Sequence, residues 1–306
     1  MKINTRKLSQ FQGHEAGIYA ICAGRSNFSF FTAGGDNVIA EWNLKSGKGE
    51  NFAIRFTDSI YALNIKHDKS YLFAGNAKGE IHFINLIELK EERLIAIHEK
   101  GIFSLTLLDD GKKMIATSAD GSFSVWDIVD HALLYHIKVE ENEKLRSSAL
   151  SNNEGLLAIS STSGKIHFFE TSTFKKVHEV EAHFPSANAL AFHPTKNLLI
   201  SGGRDAYLRF WSLDDFSKIH EIPAHNFAIY QIAFNATKNL FATASRDKTI
   251  KIWDANTLEF LKRIERFPDM GHLNSVNNLM WGNKPNTLIS VSDDRTAIAW
   301  EINFEV

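Results

Sequence analysis

Several features of secreted and membrane proteins are scarce or missing in this sequence of 306 residues. It contains one cysteine, Cys22, which excludes an intramolecular disulfide and favours a reducing compartment. No run of about 18 apolar residues is present, as a membrane-spanning helix would require. The first residues also lack the apolar stretch of a secretion signal. We therefore expect a cytoplasmic protein that does not associate with membranes.

An excess of charge of either sign is also missing. The chain has 34 Lys and Arg against 36 Asp and Glu, which gives a net charge of -2. Without a positive field, nucleic acid is not expected to be the main ligand. The sequence has no Gly-rich phosphate loop, no paired-cysteine zinc motif and no HExxH motif. We expect neither a cofactor nor a bound metal.

Proline is rare, with 5 copies, whereas phenylalanine is abundant, with 23. This composition favours β-strands. Short segments of alternating apolar and polar residues end in Trp42, Trp126, Trp211, Trp253 and Trp300. Residues 80–84 and 165–169 alternate in the same way but end in Ile84 and Phe169. These seven positions are 42 to 47 residues apart, so seven repeats fill the chain.

An aspartate and a histidine precede each of the five tryptophans at fixed distances. The aspartate lies six positions before the tryptophan, and the histidine lies 22 positions before the aspartate. The five sets are His14, Asp36 and Trp42; His98, Asp120 and Trp126; His183, Asp205 and Trp211; His225, Asp247 and Trp253; and His272, Asp294 and Trp300. Four positions before the aspartate, four of the sets have a hydroxyl residue: Thr32, Ser201, Thr243 and Ser290. The set of His98 has Ala116 there.

This pattern resembles the WD-repeat family of β-propellers, whose repeats of about 40 to 45 residues carry Gly-His near the start and Trp-Asp at the end. Gly13-His14 and Trp253-Asp254 are examples of these dipeptides. The resemblance covers the whole chain and implies an all-β fold, a seven-bladed β-propeller of four-stranded antiparallel blades. It also implies that the His, Asp, hydroxyl and Trp residues form a buried hydrogen-bonded network with a structural role.

Histidine, aspartate and serine are also the residue types of a catalytic triad. An enzyme has one such triad, whereas these sets recur with the period of the repeat. We therefore interpret them as structural.

The N-terminal residues are expected to complete the last blade. Only six residues follow Trp300, too few for a turn and an outer strand. Leu8 and Phe11 stand six and three positions before His14, as apolar residues stand before the later histidines. We predict that residues 3–11 form the outer strand of the last blade and close the ring. Residues 1–306 would then form a single propeller domain.

A propeller fold does not by itself specify a function. The resemblance implies that partners contact the top face, at the start of the first strand of each blade and just before the turn aspartate. The strand starts hold Tyr19, Tyr61, Phe103, Arg146, Asn188, Tyr230 and Asn277, and Arg204 and Arg246 precede aspartates. Aromatic and arginine side chains often anchor interfaces, and arginines suit an acidic or phosphorylated peptide. Alternatively, the arginines pair with Asp205 or Asp247, and the tyrosines cap the channel.

We therefore expect a non-enzymatic scaffold that binds a protein or peptide partner on its top face. The alternatives are a propeller enzyme and an RNA-binding module, each with its site at the channel mouth. The loop between Trp253 and His272 is five residues longer than its counterparts, which is typical of either a functional loop or a tolerated insertion. Repeats two and four lack the histidine, the aspartate and the tryptophan, so packing is expected to hold them without the network of the other five repeats.

Overall fold

The computed structural model describes residues 3–235, 237–284 and 286–304. Within these ranges the regular secondary structure consists of β-strands, and no helix is present that could cross a membrane. The strands form seven four-stranded sheets in which neighbouring strands are antiparallel. The predicted seven-bladed β-propeller fold is confirmed.

The described residues fall into two compact units, of which the first runs up to Ile60 and resumes at His225. This first unit contains three sheets, which we number as blades 1, 6 and 7 in chain order. Blade 1 consists of β2 (Ile18–Ala23), β3 (Ser29–Gly34), β4 (Val38–Asn43) and β5 (Lys48–Arg55). Blade 6 consists of β22 (Ile229–Phe234), β23 (Leu240–Ser245), β24 (Ile250–Asp254) and β25 (Phe260–Ile264). Blade 7 consists of β26 (Val276–Trp281), β27 (Thr287–Ser292), β28 (Thr296–Phe304) and β1 (Ile3–Gln12).

The second unit, Tyr61–Ala224, contains blades 2 to 5, and only the first residue of β6 lies before it. Blade 2 consists of β6 (Ile60–Ile65), β7 (Tyr71–Asn76), β8 (Glu80–Asn85) and β9 (Lys90–Ala96). Blade 3 consists of β10 (Ile102–Leu108), β11 (Lys113–Ser118), β12 (Ser122–Asp127) and β13 (Ala132–Lys138). Blade 4 consists of β14 (Leu145–Leu150), β15 (Leu156–Ser161), β16 (Lys165–Glu170) and β17 (Lys176–Glu181). Blade 5 consists of β18 (Ala187–Phe192), β19 (Leu198–Gly203), β20 (Tyr207–Ser212) and β21 (Lys218–Pro223).

The N-terminal strand β1 is the outer strand of blade 7, as predicted. It runs antiparallel to β28, with Lys7 opposite Trp300 and Phe11 opposite Ala297. Pairing strands from the two ends of the chain removes one exposed edge of β28. Phe11 is almost completely buried and packs edge-on against Phe30 of blade 1, with ring centroids 5.0 Å apart.

Phenylalanine fills much of the space between neighbouring sheets. Phe123 of blade 3 packs edge-on against Phe169 of blade 4, with ring centroids 5.0 Å apart, and both side chains are buried. Large planar side chains suit this role because each buries a large apolar area and edge-to-face pairs are favourable. The high phenylalanine count therefore reflects the packing of sheet on sheet.

Candidate interaction site

A chain of three hydrogen bonds connects four buried residues of blade 6. The Nδ1 atom of His225 lies 2.9 Å from Oδ2 of Asp247, and its Nε2 atom lies 2.7 Å from the Thr243 hydroxyl. The indole N–H of Trp253 donates to the same hydroxyl over 3.0 Å. Each polar atom has a partner if His225 is neutral with the proton on Nδ1, since Thr243 then donates to Nε2.

Blades 1, 5 and 7 contain the same three contacts, all within hydrogen-bond distance. In blade 1 they join His14 to Asp36, His14 to Thr32 and Trp42 to Thr32. In blade 5 they join His183 to Asp205, His183 to Ser201 and Trp211 to Ser201. In blade 7 they join His272 to Asp294, His272 to Ser290 and Trp300 to Ser290. The four copies have one geometry, which is what a structural role for the recurring sets requires.

The aspartate of each set also orders the backbone around it. In blade 6, Asp247 accepts the backbone N–H of Asn226 over 3.0 Å and that of Thr249 over 3.0 Å. The first bond fixes the loop that enters the blade, and the second fixes the turn between β23 and β24. The carboxylate is therefore occupied on both oxygens.

Burial and hydrogen bonding set the charge states of these groups. Burial lowers the pKa of His225 and of His183, although their aspartates act in the opposite direction. Burial would raise the pKa of Asp205, but His183 and Arg209 outweigh it and lower that pKa to about 2. The same balance holds the pKa of Asp247 well below its usual range. Asp205 and Asp247 are thus charged acceptors at neutral pH.

Blade 3 has the same network with its hydroxyl on a different strand, which the spacing along the chain did not reveal. His98 contacts Asp120 at 3.0 Å, and its Nε2 atom lies 2.8 Å from the Ser124 hydroxyl. The indole N–H of Trp126 donates to Ser124 over 2.8 Å. Ser124 lies on β12 directly opposite Ala116 of β11. Ser124 therefore supplies, from the third strand of blade 3, the hydroxyl that the second strand supplies in blades 1, 5, 6 and 7.

Blades 2 and 4 were expected to lack the His, Asp, hydroxyl and Trp network, and blade 2 contains a different polar network around His82. His82, buried on β8, lies 2.6 Å from Glu91 through Nδ1 and 3.2 Å from the Asn76 amide through Nε2. Asn76 accepts the backbone N–H groups of Lys78 and Glu80, as the turn aspartate does elsewhere. A polar network of different composition therefore holds this blade.

In blade 4, His167 occupies the position on β16 that His82 has on β8. It is buried, with Glu140 at 3.3 Å from Nε2 and Glu179 at 3.5 Å from Nδ1, and neither ring nitrogen forms a hydrogen bond. The shared Ile-His-Phe sequence of residues 81–83 and 166–168 is the signal that could have shown both histidines.

The predicted strand-start residues share a structural feature. In blades 1, 3, 4, 5, 6 and 7 the second residue of the first strand is skipped in the pairing with the second strand. The skipped residues are Tyr19, Phe103, Arg146, Asn188, Tyr230 and Asn277. Such β-bulges free a residue from the ladder and redirect its side chain, and they are common beside binding sites. Tyr61 has the same place in β6.

In the second unit, the structure brings three of these residues together. The rings of Tyr61 and Phe103 lie 5.4 Å apart, and the guanidinium carbon of Arg146 lies 4.8 Å from the Phe103 ring centroid. All three side chains are partly exposed. Asn188, by contrast, is buried and accepts a hydrogen bond from Ser186.

The alternative in which Arg204 pairs with Asp205 does not hold, because Arg209 occupies that carboxylate at 2.5 Å. Arg204 is exposed and forms no ion pair with any residue that the structure describes.

In the first unit, the predicted residues differ in how far they are engaged. Asn277 donates to Asp293 over 2.7 Å and to the backbone oxygen of Ile18 over 2.9 Å. Tyr19 and Tyr230 are partly exposed at their bulges. Arg246 is exposed, and within the described part of the chain it has no ion pair, since Asp247 is bound by His225.

No cluster of three or more His, Cys, Asp or Glu side chains among residues 3–235, 237–284 and 286–304 is arranged to hold a metal ion.

Seven four-stranded blades, with the His, Asp, hydroxyl and Trp network in five of them, support the resemblance of the chain to the WD-repeat β-propellers. The family described as WD domain, G-beta repeat matches residues 90–127, 174–212 and 216–254. WD-repeat propellers are in general non-catalytic scaffolds that bind protein partners.

Three relatives show how far the similarity extends. The chain is 23% identical over 272 residues to eukaryotic translation initiation factor 3 subunit I from Bombyx mori, a match that covers 67% of this chain and 82% of that protein. It is 27% identical over 209 residues to apoptotic protease-activating factor 1 from Rattus norvegicus, which covers 65% of this chain and 16% of that protein. It is 23% identical over 163 residues to WD repeat-containing protein SL1-17 from Schistosoma mansoni, which covers 53% of this chain and 54% of that protein.

Proposed function

We propose that this protein is a non-enzymatic scaffold that binds a protein or peptide partner through the bulged residues at the starts of the first strands. The observation that carries the proposal is the contact of Tyr61, Phe103 and Arg146, which line up across blades 2, 3 and 4. Two aromatic rings and a guanidinium provide a large, rigid contact area at a low cost in conformational entropy. The name of the Bombyx mori relative, a subunit of a larger factor, agrees with a scaffold role.

The position of these residues supports a role in binding over a role in packing. The His, Asp and Trp positions recur in five of the seven blades, where their contacts join neighbouring strands and the entering loop. The bulged positions vary between tyrosine, phenylalanine, arginine and asparagine, although the backbone bulge itself is the same. A fixed backbone with a variable side chain suits a surface that selects a partner.

The arginines indicate the charge of the partner. Arg204 lies exposed in the second unit without an ion pair among the described residues, and Arg146 stacks on Phe103. Guanidinium groups bind carboxylates and phosphates with two parallel hydrogen bonds. We propose an acidic or phosphorylated peptide as the ligand of this surface. Tyr19, Tyr230, Arg246 and Asn277 are proposed as contact residues of the first unit.

Affinity purification followed by quantitative mass spectrometry tests the proposal. Partners captured by the wild-type chain should be reduced about tenfold or more by Tyr61→Ala combined with Arg146→Ala, because two anchor residues are removed. Tyr135→Ala combined with Arg93→Ala is the matched control, since both residues are exposed on outer strands of the same unit. Equal capture by both double variants, at unchanged melting temperature, would remove the binding role from Tyr61 and Arg146.

The compartment also belongs to the proposal. Cys22 is the single cysteine of the sequence and is buried, so the fold needs no disulfide and no oxidising environment, and we propose the cytoplasm as its location. Fractionation of the source cells with an antibody against the chain tests this.

A further inference from the structure

The loop between β25 and β26, which carries the five additional residues, is held in a defined shape against strand β1. Asp269 is the organising residue: it accepts the backbone N–H of Glu265 over 3.1 Å and the Thr5 hydroxyl over 3.2 Å. Its carboxylate also lies 3.3 Å from Lys262 Nζ. Lys7 of β1 donates to the backbone oxygen of Met270 over 3.0 Å. Hydrogen bonds therefore attach the longer loop to β1, the outer strand of blade 7.

This construction leaves a groove of about 430 Å³ between β1 and the loop. Lys7, Gln10 and Gln12 line it from β1, and Arg266, Phe267 and Met270 line it from the loop. Phe267 is 72% exposed and Met270 is 63% exposed. Exposed apolar patches with a polar rim commonly mark protein interaction sites.

The basic residues of the groove lack the carboxylate partners that their neighbours have. Among the described residues, Arg6 pairs with Glu301 and Arg263 pairs with Glu265. Arg266 only stacks over Phe267, at 5.1 Å from the ring centroid, and no carboxylate of the described chain lies within ion-pair distance of it or of Lys7. Two cations beside an apolar patch are therefore left for an external anion.

The acidic residue at the groove wall, Asp294, attracts Lys7 electrostatically but forms no ion pair with Lys7 or Arg266 among the described residues. Asp294 lines the groove, but its side chain is 7% exposed. Its oxygens accept from His272, from Thr296 and from the backbone of Leu273. Lys7 donates to Gln10 over 2.7 Å and to Met270, so one of its three N–H groups has no such bond.

We propose that this groove binds a peptide segment of a protein partner in which a carboxylate side chain stands beside a large apolar side chain. The carboxylate binds Arg266 and Lys7, and the apolar side chain packs on Phe267 and Met270. The amides of Gln10 and Gln12 are placed to bind the peptide backbone. None of these residues belongs to the strand-start set, so the groove is a second interaction surface and does not depend on the first.

A random dodecapeptide library displayed on phage, selected on the immobilised full chain, tests the proposal. Enriched peptides should carry Asp or Glu within a few positions of Leu, Ile, Met, Phe or Trp. Synthetic copies, measured by fluorescence polarisation, should bind Arg266→Gln and Phe267→Ser about tenfold more weakly than the wild type. Arg93→Gln and Phe227→Ser, which change an exposed arginine and an exposed phenylalanine elsewhere, are the matched controls and should bind as the wild type does.

Three outcomes overturn the proposal. The first is a library without enrichment, or with enriched peptides that lack acidic residues. The second is equal affinity for the wild type and for both groove variants. The third is a much tighter complex when phosphoserine replaces the acidic residue, which would assign the groove to phosphopeptides instead. Melting temperatures of the variants within a degree or two of the wild type exclude unfolding as the cause of lost binding.

Discussion

The hydroxyl of Ser124 should stabilise blade 3 as much as the hydroxyl on the opposite strand stabilises blades 1, 5, 6 and 7. Ser124 is completely buried and contacts both His98 Nε2 and the Trp126 indole N–H. Ser124→Ala removes one small group but leaves two buried polar groups without a partner. Each such group costs about 1 to 3 kcal/mol, so we expect a loss of about 2 to 6 kcal/mol in the free energy of unfolding.

The pairing of β11 with β12 offers a control for this prediction. Ala116 stands directly opposite Ser124, at the position where Ser201 stands in blade 5 and Thr243 in blade 6. Ala116→Ser combined with Ser124→Ala should therefore recover most of the lost stability, whereas Ala116→Ser alone should not stabilise. Urea denaturation followed by tryptophan fluorescence measures all three variants. A loss below about 0.5 kcal/mol for Ser124→Ala, which is the range of ordinary surface changes, would refute the account of the network.

Four further results are expected. His225→Ala should cost about 1 to 3 kcal/mol by leaving buried partners unpaired, and a change of a few tenths would contradict the network in blade 6. Thr117→Val should be neutral or stabilising in urea denaturation, because the buried Thr117 hydroxyl has no hydrogen-bond partner. His167→Phe should cost less than His225→Ala, since neither ring nitrogen of His167 is hydrogen-bonded. Because burial lowers the pKa of His183 and His225 below 6.5 in the folded state, the unfolded chain binds more protons below that pH. Melting temperatures measured from pH 8 to 5 should therefore decline below about pH 6.5 and stay level above it.

The period of the repeats was sufficient to predict the architecture. The five tryptophans, together with Ile84 and Phe169 at the equivalent positions, predicted the number of blades. The spacing before His14 predicted that the N-terminal strand pairs with β28. Both depend on local patterns that each blade repeats, so one sequence contains several independent copies of the signal. The positions five residues after the histidines all lie at a bulge, because a fixed spacing within the repeat corresponds to a fixed position on the strand, although the bulge itself was not predicted from the sequence.

Contacts between strands and between blades could not be predicted from spacing along the sequence. Ser124 replaces a residue of the neighbouring strand, and the two positions are adjacent only in the ladder. His82 depends in the same way on Glu91, which lies on the next strand of its blade. Predicting that Arg146 stacks on Phe103 requires the distance between blades 3 and 4, which sequence spacing does not give. Sequence periodicity therefore predicts which positions are equivalent, and the structure is needed to show which of them touch.

Equivalent positions of the seven blades can be compared with one another. This comparison distinguishes structural from functional residues better than burial alone does. A position that holds the same contact in several blades, such as His225 and His272, has a structural role that recurs with the repeat. Tyr61 and Arg266 have no such counterpart: Tyr61 lies at the strand-start position, where the side chain varies from blade to blade, and Arg266 lies in the loop that is five residues longer than its counterparts. Ser124 and His82 also depart from the repeat, but their side chains are buried in hydrogen-bonded networks. Exposed residues that depart from the repeat are therefore the ones for which we propose partner binding.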